Sequence, residues 1–451
     1  MQSFLRAKRD ESVPSLDQAK TGGSRVVPVT PKQSYTKFKL SSWSRKSKKS
    51  KDPSFVSKET ATEISGPVRR LQEVQLLLNH YNTSYTINSF ALNSEGTWIS
   101  FTFMDPALLN ATLGLVAIHR NLLISHSEAT EALVYKGLAI QAINRRFSSR
   151  VKPANDENLG VVALLVKFET LRERSDASKA HMQGLVEMIK IRGGLRCITH
   201  NPVLVRVLMW IDLLYATTWK FKPCIVASLP RQEPLAEILQ DIVDVPVSPI
   251  EQYILSLGMF SFNEGIDFDT FKTVQQISAA KTNMSELALE SRKITSHAIY
   301  LVNHRLVSSF ADAIPSWDPS HDLYTAFWAS SLLYLYLMVR EIPRRGGIHW
   351  PIKQLLRTLL SDTFTIKPIT HPMLQVVAWI GFLGVAASPP EEGDTYFIDL
   401  LVLASVYLKV KDEKDLKSKL QGVLWIDDIC DRYLAIVWAE MGYSHKEGTV
   451  L

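Results

Sequence analysis

The stretch AHMQGLVEMIKIRGGL (Ala180–Leu195) and the NPVLVRVLMWIDLL (Asn201–Leu214) that follows it decide the fold class. Met182, Leu185, Val186 and Ile189 recur at i, i+3, i+4 and i+7, the spacing that gives an α-helix one apolar face. Gly193 and Gly194 then stop that helix, because glycine adopts the left-handed backbone conformation cheaply. Asn201 is placed to cap a returning helix, with Pro202 at its first position, where the missing N–H costs nothing. No G-x-G-x-x-G or G-K-[ST] context surrounds the paired glycines, so they read as a helix stop and not as a phosphate cradle.

The same punctuation recurs outward from this pair. A helical pattern begins at PVRRLQEVQLLLNHY (Pro67–Tyr81). In DPALLNATLGLVAIHRNLL (Asp105–Leu123), Asp105 takes the cap and Pro106 the first turn, and Leu109, Leu113, Val116 and Arg120 follow at helical spacing. HPMLQVVAWIGFL (His371–Leu383) predicts the same device, with His371 as cap and Pro372 behind it. Alternating β-branched runs bounded by turn pairs do not recur. The sequence therefore predicts an all-α, large multi-helix body of about fifteen helices, from typical helix and loop lengths. The most apolar runs, Phe327–Val339 and Pro372–Ser388, are shorter than the roughly 20 residues a bilayer requires. They predict buried helices and no membrane partner. No fixed-period repeat argues for a solenoid. Five prolines interrupt the helical pattern in Phe221–Gln252, which predicts a long surface loop, with a division into two lobes near 221–252.

The chain has 451 residues, 46% hydrophobic and 9% aromatic, the composition of a globular protein. Charge is unevenly spread. The first 58 residues hold fourteen Lys/Arg against four Asp/Glu, whereas the remainder holds 37 against 41. The excess of cations thus belongs to an arm, predicted as disordered over 1–65, and not to the helical body over 66–451, which argues against a body that wraps nucleic acid by charge. Within the arm, WSRKSKKSKDP (Trp43–Pro53) sets Arg45, Lys46, Lys48, Lys49 and Lys51 among serines with no apolar face to bury. These five cations are the candidate nuclear localisation signal and phosphate contact; the plainer reading is a solvated tail that keeps the protein soluble. Phosphorylation of Ser44, Ser47 or Ser50 would cancel much of that charge.

Cys197, Cys224 and Cys430 are odd in number and far apart, giving neither a disulfide framework nor a zinc-ligand spacing, and a reducing compartment is the simpler expectation. The opening MQSFLRAKRDESVPSLDQ lacks the apolar region of a secretory signal, and Asp10, Glu11 and Pro14 interrupt any amphipathic presequence. His119 reads as a helix-packing histidine, since no nucleophile or acid is nominated beside it. WIDDICDRY (Trp425–Tyr433) is the one catalytic contest. Asp427, Asp428 and Asp431 form a D-D-x-x-D pattern, which on a helix offers hard oxygen ligands to Mg²⁺ and resembles the metal motif of all-α class I terpene synthases. Such an enzyme needs a second motif, N-D-x-x-S-x-x-x-E, which is not found in the twenty residues after Asp431. The expectation is a solvated acidic helix end, paired with Arg432 or with the lysines of KVKDEKDLKSK (Lys409–Lys419).

LLLNHYNTSYTINSFALNSEGTWISFTFMDPALLNATLGLVAIHRNLL (Leu76–Leu123) resembles the opening of the fungal-specific transcription factor domain, the helical regulatory region of fungal zinc-cluster transcription regulators. The helix, paired glycines and returning helix ending in Trp210 and Asp212 are similar to the same family, as are EALVYKGLAIQAINRRF and ENLGVVALLVKFETLRE in order and spacing. The likeness covers about Leu76 to Tyr215 and rests on structural motifs. It implies a nuclear transcription regulator, not an enzyme and without a cofactor, whose helical domain binds an effector or a partner. The partners expected are the nuclear import machinery, a transcriptional partner protein and, through the arm, weak non-specific DNA contact. The family's DNA reader is a six-cysteine cluster holding two zinc ions. No cysteine precedes Cys197, so none of its residues can be assigned here. Three expectations follow: a regulator working through a partner, a chain whose zinc-cluster exon is missing, or a domain put to another use. Its rivals are a cytosolic helical interaction scaffold and a Mg²⁺-dependent prenyl-diphosphate enzyme.

Overall fold

Sixteen α-helices, and no strand, make up the described residues of the computed structural model. These are residues 66–85, 90–124, 130–148, 154–225, 238–243, 249–258, 268–313, 318–392 and 395–447, with 245 and 315 singly. All of them lie in the unit Ile64–Leu451. Arg45, Lys46, Lys48, Lys49 and Lys51 lie outside the described residues, as does much of the proline-rich segment expected between two lobes.

Local chemistry explains several of the helix ends. Helix α1 is Gly66–His80 and continues into a π-helical turn, Tyr81–Tyr85; α2 is Trp98–Phe103. Helix α3, Pro106–Ile124, starts where Asp105 accepts the Leu108 N–H at 2.8 Å, and the same carboxylate pairs with Arg146 of α4, Thr130–Ser148. Helix α5, Asp156–Leu171, is capped by Asn155. Helix α6, Ser175–Arg192, ends at Gly193 and Gly194, with φ of +94° and +87°, the region that favours glycine. Helix α7, Pro202–Trp219, begins at the Asn201 cap, whose side chain accepts the Leu204 N–H at 3.2 Å. Then follow α8, Pro249–Gly258, α9, Phe268–Thr282, and α10, Leu289–Ala311. Helix α11, Pro319–Tyr334, runs into a second π-helical turn, Leu335–Val339, and α12 is His349–Leu359. The last four are α13, His371–Ala386, α14, Tyr396–Tyr407, α15, Glu413–Gln421, and α16, Asp427–Glu447.

One expected cap is corrected. Thr370, not His371, caps α13: its hydroxyl accepts the Met373 N–H at 3.3 Å, while the His371 ring turns to Gln375. Threonine presents a short oxygen acceptor at the right reach, and histidine does not.

The helices pack as neighbours in a chain of layers. Helix α3 lies on α4 and α5, α5 on α6 and α7, α7 on α10 and α12, and α11 on α12 and α13, with α13 against α14 and α16. One apolar core runs through them from Leu77 to Met441. Helices α3 and α7 have the length and apolar content to span a membrane, but most of each is buried in this core. Close approach of α13 and α14 depends on glycine: a Cβ on Gly384 would stand 2.2 Å from the Phe397 ring. Asp212 of α7 is buried and accepts the backbone N–H groups of Cys224 and Ile225, both at 2.8 Å. It thereby ties the segment after α7 back onto the helix.

Candidate functional site

Tyr85 from the first π-helical turn, His119 from α3, Lys167 from α5, Trp210 from α7 and Arg340 after the second π-helical turn face one cavity. Leu115, Leu122, Leu171, Leu214 and Ile342 supply its apolar wall. It contains about 650 Å³ of space, part of it continuous with solvent, within which the centre of a water molecule can range over about 80 Å³. A second cleft shares Tyr85, Leu92, Lys167 and Trp210 with it and extends towards Trp98 and Val203. Among the described residues no Asp or Glu lines either space.

The second π-helical turn aims the deepest cation. The Arg340 N–H bonds the Leu335 carbonyl at 2.9 Å, the wider repeat of a π-turn, and Glu341 then takes φ of +48°, uncommon for a residue with a Cβ. The Arg340 guanidinium stacks on the Trp210 ring, 3.9 Å from its centroid, and only 4% of the residue is exposed. Among the described residues no hydrogen bond or ion pair reaches its side chain, and its Nε is buried without a partner. Glu341, next in sequence, turns its carboxylate to Lys281 at 2.9 Å and to Arg432 at 3.6 Å. Burial lowers the Arg340 pKa to about 10, against a smaller opposing effect of Tyr336.

Its neighbours add donors but no negative charge. Lys167 donates to the Tyr85 hydroxyl at 3.0 Å and lies 5.3 Å from the centroid of that ring. His119 shares a hydrogen bond with His80, 3.0 Å between Nδ1 and Nε2, and meets the Tyr85 ring edge-on. Burial, with His80 and Lys167 beside it, pushes the His119 pKa down to about 3, so the imidazole is neutral at physiological pH. The histidine singled out from sequence is thus packed between helices, and it also forms part of a cavity wall. Tyr85, the last residue of the first π-helical turn, lines this cavity, and Arg340 follows directly on the second; such turns often accompany function.

The acidic motif lies elsewhere. Asp427, Asp428 and Asp431 sit in the first turns of α16, and the Lys417 ammonium stands 3.5 Å from Asp427 and 2.8 Å from Asp431. A lysine from the expected cluster therefore occupies the place between the carboxylates. Arg432, the other expected partner, bonds the Asp428 carbonyl and reaches Glu341 instead. The Cys224 thiol donates to the Asp212 carboxylate at 3.4 Å, and partial burial together with that carboxylate raises its pKa to about 12.

Arg340 and Lys167 carry the site, and neither stood out in the sequence. The available signal was a lone cation inside or directly after an apolar run: Lys167 in GVVALLVKF and Arg340 behind FWASSLLYLYLMV. A model of the fungal-specific transcription factor domain matches residues 76–396, well past Tyr215, where the quoted sequence motifs end. No curated protein and no solved structure matches the chain.

Proposed function

This chain belongs to the fungal-specific transcription factor domain family, and from that premise we propose that it is a nuclear transcription regulator whose helical body takes a small effector in the cavity beside Trp210 and Arg340. Membership in the family suggests transcription regulation and, in general, a nuclear role; the family is not one of enzymes. The cavity is the observation that carries the finer reading. Its wall comes from α3, α5 and α7 and from the segments that hold Tyr85 and Arg340, so its occupancy can be felt across the packed body. In this proposal the protein acts by recruitment and not by turnover, and on α16 Lys417 bridges Asp427 and Asp431, the place a metal would take. Residues 1–451 contain no six-cysteine pattern, and in this proposal base sequence is read through a partner protein.

The arm supplies delivery in this proposal. Arg45, Lys46, Lys48, Lys49 and Lys51 engage the import machinery and, in the nucleus, touch phosphates without reading bases. Five phosphate contacts release about five counterions and give a slope of log K against log salt of roughly −4 to −5. Changing all five to Ala should move a fluorescent fusion to the cytoplasm and flatten that slope, with the circular dichroism spectrum unchanged. Continued nuclear accumulation together with an unaltered slope would remove both roles from the arm.

A further inference from the structure

We propose that the cavity bordered by Tyr85, His119, Lys167, Trp210 and Arg340 binds a small organic carboxylate with an apolar body, its charged end held by Arg340 and Lys167. This rests on the effector reading above and names the chemical class of the effector.

Three observations lead to the anion. A guanidinium that is 4% exposed, with no hydrogen bond or ion pair among the described residues, leaves donors unmatched in a place where water solvates them poorly. Lys167, the second cation on the wall, meets only the Tyr85 hydroxyl and ring. Among the described residues no acid lines the space, and the nearest one in sequence, Glu341, is committed to Lys281 and Arg432. An entering carboxylate supplies the missing counter-charge, and the planar fork of arginine matches its two oxygens. The depressed Arg340 pKa agrees with a cation awaiting such a partner.

Two further observations choose carboxylate over phosphate. A doubly charged phosphate needs several backbone or side-chain donors, whereas His119 is held neutral and the rest of the wall is Leu115, Leu122, Leu171 and Leu214. The same leucines accommodate an alkyl or aryl body, and the accessible space of about 80 Å³ keeps it small, with the adjoining cleft past Leu92 open to a longer tail.

The experiment uses the full chain with hexanoate and benzoate, their uncharged amides, and inorganic phosphate, read by calorimetry and by Trp fluorescence. Both acids are expected to bind, with the amides about tenfold or more weaker, because a charge-assisted bond contributes about 1.5–3 kcal/mol and 1.4 kcal/mol is tenfold. Phosphate is expected not to bind. Arg340→Met should lose the preference for acid over amide and, because it removes a desolvated unpaired charge, should raise the melting temperature; a merely structural arginine would lower it. Lys167→Met is the second variant, expected to weaken acid binding and leave amide binding as it was. Equal affinity for acid and amide, acid binding unchanged in Arg340→Met, or no binding of either acid overturns the anion site. The regulatory function fails separately: a DNA-tethered chain that leaves a reporter unchanged refutes it while hexanoate binding still stands.

Discussion

Below about pH 6.5 the protein should lose stability steeply, because His119, His181 and His349 are buried in their neutral forms. Burial is the largest cause at each and lowers their pKa values from 6.5 to about 3, 4 and 4. A cation stands beside every one of them: Lys167 by His119, Lys136 by His181, and Lys353 by His349. The folded pKa lies below the unfolded one, so the stabilisation is fully present above pH 6.5. It is lost as pH falls towards the folded values, because the unfolded chain takes up protons that the native chain refuses. Each histidine contributes a slope of about 1.4 kcal/mol per pH unit in that window, and the three together about 4. A descent to about pH 5 therefore removes several kcal/mol from a protein whose whole stability is typically about 5–15. Urea unfolding at pH 7 and pH 5, with the proton uptake on unfolding measured directly, checks this. Equal midpoints at the two pH values, without uptake, would refute the buried neutral state.

Trp379→Ala should cost about 3–5 kcal/mol, the range for deleting a fully buried aromatic side chain. Trp379 is 0% exposed, packs against Phe327 and Tyr334 with ring centroids 5.7 and 5.8 Å away, and donates from Nε1 to the Leu424 carbonyl at 3.0 Å. Its loss opens a cavity between α11 and α13 and also orphans a carbonyl on the approach to α16. Close packing across α13 and α14, forced by Gly384 and Gly381, limits how far the gap can collapse. The melting temperature of Trp379→Ala, with Trp379→Phe as the milder control, measures the effect. A shift in the alanine variant no larger than in the phenylalanine one would place the tryptophan outside the core.

The contrast between these helices and the cavity explains what was legible in the sequence. Helix starts at Asp105 and Asn201 and the stop at Gly193 were readable because a cap is made within three residues of its own position. The cap of α13 was misread by one residue because His371 and Thr370 are adjacent and only the oxygen acceptor makes the bond. The pairing of Asp431 with a lysine was foreseeable as a class, since the cluster Lys409–Lys419 precedes it closely in the chain, but that Lys417 is the one depends on how α15 meets α16. Arg340 was illegible for a different reason. Its place in the cavity depends on a π-helical turn and a positive φ at Glu341, and on α7 bringing Trp210 to it across the fold. No periodicity in the chain encodes that meeting. The family likeness was readable over Leu76–Tyr215 and the family match extends to residue 396, over helices whose sequences carry no motif as distinctive as the paired glycines.

The most direct test of the account joins the full chain to a heterologous DNA-binding module and measures a reporter placed under that module's site. The account predicts that the fusion changes reporter output relative to the module alone, and that filling the cavity by Leu115→Trp, in a fusion that remains folded and nuclear, alters that change. Reporter output equal to that of the module alone would contradict it.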